Sequence, residues 1–281
     1  MGCREATSGR RAWRRQPQPR HTRPMSMTEP ISGPVAELQG ARLVAARVVA
    51  AVAAVFWGFL WFGLIDLLVV VEQDARFDED YIFESGWGLL YLVLFAVPLV
   101  VLAVRPGAAV ALTQLAVVTL AVLIGGLWRP AWPQLWNGLG LVLTVALVAW
   151  VGRGRPVKWR RPAPVLSMLA LVGLPAAVVY GSPLIRNTTV KEDITNGVSH
   201  WPMQASLALA IVGLVALAAV TRGLLPGWTA ASTAFWLGVE SVAYPDLHAS
   251  LGSTGGGLAI AWAALVVAAL QIARRRAARI D

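Results

Sequence analysis

Eight long runs of apolar residues dominate this chain, and their length constrains the fold more than any other feature. A transmembrane helix needs about 20 mainly apolar residues, within a range of about 17 to 25. The chain is 57% hydrophobic and 14% charged, whereas soluble domains carry about 25% charged residues. The pattern predicts an all-α, polytopic membrane helix bundle of about eight transmembrane helices. The predicted spans are Ala46–Val71, Trp87–Val104, Gly107–Leu127, Trp136–Val151, Val165–Tyr180, Ala205–Val220, Trp228–Ala243 and Gly256–Ala273.

Basic residues are biased toward one set of connections between these spans. When the connections are assigned alternately to two sides, 20 of the 24 Lys and Arg residues fall on the side of the termini. Cytoplasmic loops retain positive charge. The bias predicts a multi-pass protein of the cell (plasma) membrane with both the N-terminus and the C-terminus cytoplasmic. The opposite side is acidic, and its largest group follows the first span: Glu72, Asp74, Asp78, Glu79, Asp80 and Glu84.

The N-terminal segment differs from the rest of the chain. Residues 1–41 precede the predicted transmembrane domain, and within them residues 1–26 are rich in Arg, Pro and Gln and have no apolar period. They predict a basic, disordered cytoplasmic tail, or in part a mis-assigned start ahead of Met25 or Met27. Residues 42–281 predict a single eight-helix transmembrane domain. The only cysteine is Cys3, so a disulfide within the chain is excluded.

The positions of the charged and small residues predict which molecules the protein contacts. A net charge of +9 invites a nucleic-acid interpretation, but the basic residues sit at span ends and not on a soluble face. The predicted partner is therefore the lipid bilayer and not nucleic acid. Small residues also permit close helix contact, and they suggest a homo- or hetero-oligomer. These residues are Gly107, Ala108, Ala109, Gly173, Ala176 and Ala177.

Two ionisable residues lie inside predicted spans, Asp66 in the first and Glu240 in the seventh, at similar depth. Ionisable residues within a bilayer are costly and are functional hypotheses by default. Thr229 and Thr233 share a face with Glu240, because steps of four and seven residues bring helical side chains nearly into line. One interpretation is an outward-facing cavity in which Asp66 and Glu240 bind a cation or exchange protons. The alternative is that each acid is hydrated or accepts hydrogen bonds between helices.

The outer connections add a second group of polar residues. Asp193, His200, Asp246 and His248 are ligand types of zinc and manganese sites, but their spacing matches no metal motif. Caps of helix ends and turns are the alternative, and neither a metal nor another cofactor is predicted. If the first and seventh helices pack together, these four residues join Asp66 and Glu240 in one binding pocket. The glycines before the eighth span, Gly252, Gly255, Gly256 and Gly257, predict a flexible loop.

Three classes of function remain open from the residues. A phosphate-binding Gly-rich loop, a His-Glu-x-x-His motif and a Gly-x-Ser-x-Gly motif are all missing from the sequence, so no catalytic residue is predicted and an enzyme is disfavoured. Small-solute or ion/proton-linked transport is the leading interpretation. A non-catalytic membrane accessory or assembly protein is its alternative. A membrane-embedded, glycosyltransferase-like enzyme, suggested by the acidic run Asp78–Asp80, ranks third.

Several short motifs resemble those of uncharacterised multi-pass integral membrane proteins of actinobacteria. The motifs are Phe62–Leu67, Ser85–Leu90, Asp193–Gly197 and His200–Pro202 with Gln204. The resemblance covers most of the chain after residue 40. It implies that Asp66, Asp193 and His200 fall inside family motifs, and it carries no activity with it.

Overall fold

The computed structural model of this chain describes residues 40–73, 79–128, 132–154, 156–186, 194–195 and 197–277. These residues are 85% helical and form an all-α bundle, as predicted. Residues 1–39, most of the predicted tail, lie outside the described residues. The helices are α1 (Gly40–Glu72), α2 (Tyr81–Val104), α3 (Ala109–Trp128), α4 (Trp132–Gly152), α5 (Pro164–Arg186), α6 (His200–Thr221), α7 (Leu224–Ala243) and α8 (Gly252–Ala277).

Seven of these eight helices are long and apolar enough to cross a membrane. Helix α7 is the exception in composition, because its 20 residues include Thr229, Thr233, Glu240 and Ser241. Its length of about 30 Å, at 1.5 Å per residue, still equals the hydrocarbon thickness of a bilayer. The one described helix that is not apolar enough to count among these spans is thus the helix that carries the predicted Glu240.

The outer surface of the bundle is apolar. Large aliphatic side chains point outward along several helices, with Val104 65%, Leu171 71% and Val179 74% exposed. A contiguous surface of this kind is rare on a water-soluble protein and marks contact with lipid or protein. The chain is therefore a multi-pass membrane protein.

Helix α1 is interrupted near its middle. A π-helical turn at Phe56–Leu60 is followed by Phe62 with a φ of 68°, and a regular helix resumes at Gly63. A left-handed φ is unusual for a bulky residue. A Cβ on Gly63 would lie 3.1 Å from the carbonyl oxygen of Trp57 and 3.2 Å from the backbone nitrogen of Leu92. Glycine at this position therefore lets the interrupted helix lie directly against α2.

Helix α2 begins six residues before its predicted start at Trp87. Every residue from Tyr81 to Tyr91 is buried. The prediction that Glu84 lies in an outer loop is therefore wrong, since its side chain is 4% exposed within α2. The error arises because the polar residues Glu84 and Ser85 lower the local hydropathy. A hydropathy pattern therefore starts the span after them and leaves out the apolar residues that precede them.

Helices α7 and α8 pack closely through glycine. Helix α8 starts at Gly252, so the prediction of a flexible loop at the following glycines is wrong. A Cβ on Gly256 would lie 2.6 Å from the carbonyl oxygen of Gly238, and a Cβ on Gly238 would lie 2.8 Å from that of Gly256. This reciprocal backbone contact fixes the position of α7 against α8.

The small residues that were predicted to permit close helix contact differ in how near they lie to other helices. A Cβ on Gly107 would meet no atom within 4 Å. A Cβ on Gly173 would lie 3.1 Å from Val212 of α6 and 3.3 Å from Trp262 of α8. The small-residue face around Gly173 is thus used within one chain, and association with a second chain stays a prediction.

Basic residues mark one end of the bundle. We call this the basic end, and it holds the start of α1 and the end of α2. Arg42 donates from Nε to the carbonyl oxygen of Val151 at 3.1 Å and from Nη2 to that of Trp150 at 2.9 Å. It satisfies carbonyls that the C-terminus of α4 leaves open. The other described basic residues at this end are Arg47, Arg105, Arg153, Lys158, Arg160, Arg161, Arg222, Arg274, Arg275 and Arg276.

A short hairpin marks the opposite end, which we call the hairpin end. Strand β1 (Ile194–Thr195) pairs antiparallel with β2 (Val198–Ser199) between α5 and α6. Arg186 is the described basic residue at this end. Helices α2, α4 and α6 begin here, and α7 ends here.

Candidate functional site

A buried carboxyl on α7 lies at the centre of the candidate site. Glu240 is 4% exposed and precedes the end of α7 by three residues, or about 5 Å along the helix axis. Ser85 of α2 donates a hydrogen bond from Oγ to its Oε2, and Trp236 donates from Nε1 to its Oε1 at 2.6 Å. Both carboxyl oxygens therefore accept from neutral donors, one of which belongs to a different helix.

A second group of polar contacts lies next to Gly86, the residue that follows Ser85 in α2. Gln204 donates from Nε2 to the hydroxyl of Tyr180 at 3.0 Å, and that hydroxyl donates to the carbonyl oxygen of Ala249 at 2.7 Å. A Cβ on Gly86 would lie only 1.7 Å from Gln204 Oε1. The glycine after Ser85 therefore provides the space that the amide of Gln204 fills. Ser85, Tyr180, Gln204, Trp236 and Glu240 are called the Glu240 cluster below.

The polar face that was predicted on α7 is buried. Thr229, Thr233 and Glu240 are 6%, 0% and 4% exposed. Gln114 of α3 donates from Nε2 to Thr229 Oγ1 at 3.0 Å and to the carbonyl oxygen of Leu94 in α2 at 3.3 Å. A line of polar groups thus follows α7 from near the basic end to the Glu240 cluster.

Asp66 is buried on the part of α1 that packs against α2. Its side chain is 4% exposed. A Cβ on Gly88 would lie 2.7 Å from the carbonyl oxygen of Gly63 and 2.8 Å from Leu67 Cβ. These contacts place the helical turn that carries Asp66 beside the buried start of α2.

His200 is also buried, at the first residue of α6, with 1% of its surface exposed. Its ring centroid lies 4.9 Å from that of Trp87 and 6.4 Å from that of Phe83. The sequence placed His200 and Gln204 in an outer connection, and that placement is wrong because both belong to α6. Pro202 is compatible with the first turn of a helix. The polar residues around it lower the local hydropathy, so the hydropathy pattern misses the start of α6.

The remaining predicted site residues lie elsewhere. Asp246 and His248 are exposed in the connection between α7 and α8, and the His248 ring lies 5.8 Å from that of Trp201. Asp193 lies outside the described residues. Within the described part of the chain, no group of three or more His, Cys, Asp or Glu side chains is arranged to hold a metal ion.

Helix α2 lies in contact with both helices that carry the predicted intramembrane acids. Helix α1 packs mainly on α2 and α4, whereas α7 packs mainly on α8 and α6. The segment Tyr81–Gly88 of α2 contacts both the second half of α1 and α7. The proposed pocket that unites Asp66, Glu240 and the outer residues stays a prediction, and α2 is the element through which the two acids are connected.

Several residues of the site could not be singled out from the sequence. Ser85 and Tyr180 are common residue types in membrane spans, and their role depends on contacts between helices. One signal was available, because amide side chains are rare in apolar runs: Gln114 and Asn137 lie within predicted spans and are buried, as are Gln134 and Gln204 just outside them. Gln134, for example, donates to Ser206 Oγ at 2.9 Å across α4 and α6.

Comparisons of this chain with protein-family models, with curated proteins and with solved structures find no match. The resemblance to actinobacterial membrane proteins therefore stays a prediction.

Proposed function

We propose that this protein carries out ion- or proton-linked transport, alone or with a small solute, through the Glu240 cluster at the hairpin end. The observation that carries this proposal is the buried carboxyl of Glu240, held by Ser85 of α2 and Trp236 of α7. A structural bundle has no need of a carboxyl at this depth, because apolar residues pack there at no cost in desolvation.

The surroundings of Glu240 support movement of a proton or small cation. A carboxyl accepts and releases a proton, and its oxygens are ligands for hard cations. The hydroxyls of Thr229 and Thr233 and the amide of Gln114 continue the polar line toward the basic end. Asp66 and His200, both buried beside α2, are further candidates for the same route.

The proposal includes an orientation in the cell membrane. The basic end would face the cytoplasm and the hairpin end would face outward, because Lys and Arg are retained on the cytoplasmic side. Both termini would then be cytoplasmic, and the Glu240 cluster would lie about 5 Å below the outer end of α7.

Cysteine labelling tests this orientation. In a Cys3→Ser background, a membrane-impermeant maleimide should label Glu79→Cys in intact cells and should label Lys158→Cys only after the membrane is opened. Both positions are exposed, on opposite ends of the bundle. Labelling of position 158 from outside, with position 79 protected, would reverse the orientation.

Proton flux in proteoliposomes tests the proposed activity. Purified full-length protein is reconstituted into vesicles that contain a pH-sensitive dye, and valinomycin with a potassium gradient sets a negative potential inside. We expect acidification of the interior above the rate of protein-free vesicles. Rates equal to those of protein-free vesicles would favour the alternative, a non-catalytic accessory or assembly protein.

A further inference from the structure

A groove opens on the side of the bundle where α1 is interrupted. It has a volume of about 430 Å³, within the range of roughly 300–1,000 Å³ that small-molecule sites occupy. Val198 of the hairpin is one of its lining residues. Its lining includes Phe56, Trp57, Trp136, Asn137, Gly140 and Thr144. We call this space the α1–α4 groove.

The groove contains a buried hydrogen-bond acceptor without a partner. Asn137 is 5% exposed and donates from Nδ2 to the hydroxyl of Tyr91. Its Oδ1 is buried, and none of the described residues donates to it. A buried acceptor is costly when it stays unpaired, so a ligand with an N–H or O–H donor would be favoured here.

Two other polar groups on the walls, those of Trp57 and Thr144, are satisfied within the protein, whereas Trp61 Nε1 is buried and forms no hydrogen bond to the described residues. Trp57 donates from Nε1 to Thr144 Oγ1 at 3.0 Å, and Thr144 donates to the carbonyl oxygen of Gly140 at 2.9 Å. These bonds leave the ring of Trp57 and the side chain of Phe56 as apolar wall. An apolar chain would therefore fit along this part of the groove.

The order of these groups matches the depth profile of a membrane lipid. Trp136 is 67% exposed, close to the start of α4, and exposed tryptophan marks the membrane interface. Asn137 is the next residue, and Thr144 follows seven residues later, or about 10 Å deeper. The unpaired acceptor thus lies near headgroup level, and the apolar wall extends into the hydrocarbon.

The groove also opens toward the bilayer. Phe56 and Leu143 line it and are 39% and 62% exposed on helices whose outer surfaces are apolar. A water-soluble ligand would have to enter through lipid, whereas a lipid enters by lateral diffusion. This access favours an occupant that is already in the membrane.

We propose that the α1–α4 groove binds one phospholipid of the adjoining leaflet whose headgroup carries a hydrogen-bond donor. The headgroup donates to Asn137 Oδ1, and one acyl chain lies along Trp57 and Phe56 toward Thr144. Phosphatidylethanolamine has the required N–H donors. Phosphatidylcholine has the same acyl and phosphate groups and no headgroup donor, which makes it the matched control lipid.

Native mass spectrometry of the purified full-length protein tests this site. The protein is exchanged into detergent with equal amounts of phosphatidylethanolamine and phosphatidylcholine of identical chains, and the retained lipid is counted. We expect one lipid to be retained, with a preference for phosphatidylethanolamine of up to about tenfold, the effect of one hydrogen bond. Equal retention of the two lipids would overturn the proposal.

Two variants separate the headgroup contact from the chain contact. Asn137→Leu should abolish the preference while one lipid is still retained. Gly140→Leu should lower retention of both lipids. A Cβ added at Gly140 would lie 3.4 Å from the Trp57 ring, so the larger leucine side chain would fill the groove. A preference that survives Asn137→Leu, or retention unchanged in Gly140→Leu, would place the lipid elsewhere on the surface. If Asn137→Leu fails to fold, the lipid preference of the wild type and the lipid retention of Gly140→Leu decide whether the groove binds the lipid.

Discussion

Replacement of Glu240 by Gln should reduce potential-driven proton flux in proteoliposomes to the rate of protein-free vesicles. The amide keeps the size of the side chain and can still accept from Ser85 or Trp236, but it cannot bind and release a proton at neutral pH. Insertion and stability should change little, since apolar helices and not this carboxyl drive insertion. The flux is measured from internal dye fluorescence at equal protein content.

Glu72→Gln is the matched control for this result. Glu72 ends α1 at the same end of the bundle and is exposed, so the same chemical change there should leave the flux unchanged. Full flux in Glu240→Gln would remove Glu240 from the transport route. Equal loss in both variants would point to surface charge and not to the buried carboxyl.

Replacement of Gly256 by Ala should destabilise the folded bundle by about 1–3 kcal/mol, the cost of overpacking. The new Cβ would lie 2.6 Å from the carbonyl oxygen of Gly238 and 2.9 Å from Val242. A backbone carbonyl cannot rotate away as a side chain can, so α7 and α8 must separate. We expect a thermal transition lower by several degrees in detergent solution, measured by tryptophan fluorescence.

Gly257→Ala is the control for this prediction, one residue further along α8. A Cβ on Gly257 meets no atom within 4 Å, and alanine is the better helix former by up to about 1 kcal/mol. Its thermal transition should therefore stay the same or rise. Equal transitions for Gly256→Ala and Gly257→Ala would show that the contact of α7 with α8 adapts at little cost.

The spans were predictable from the sequence because a bilayer imposes length and composition on each helix separately. The third predicted span, Gly107–Leu127, differs from α3 by two residues at one end and one at the other. The starts of α2 and α6 were missed because Glu84 and His200 are polar residues buried inside helices. Hydropathy treats such residues as loop, and only tertiary contacts show that they are covered.

Of the residues in the candidate site, mainly the ionisable ones could be predicted from the sequence. Asp66 and Glu240 stand out because ionisable residues are rare in apolar runs, and the shared face of Thr229, Thr233 and Glu240 follows from helical periodicity. The partners Ser85 and Gln204 could not be predicted, because their contacts depend on how α2, α6 and α7 are arranged. The interruption of α1 at Phe62 was missed as well, since it depends on packing against α2.

Infrared difference spectroscopy of the reconstituted protein tests whether the carboxyl of Glu240 exchanges protons. Spectra of wild type and Glu240→Gln are recorded while the pH of the surrounding buffer is changed over the range in which the protein stays folded. We expect a carboxylic-acid C=O band that changes with pH in the wild type and is missing from Glu240→Gln. Identical difference spectra for the two proteins would show that this carboxyl does not exchange protons, and would contradict the proposed transport.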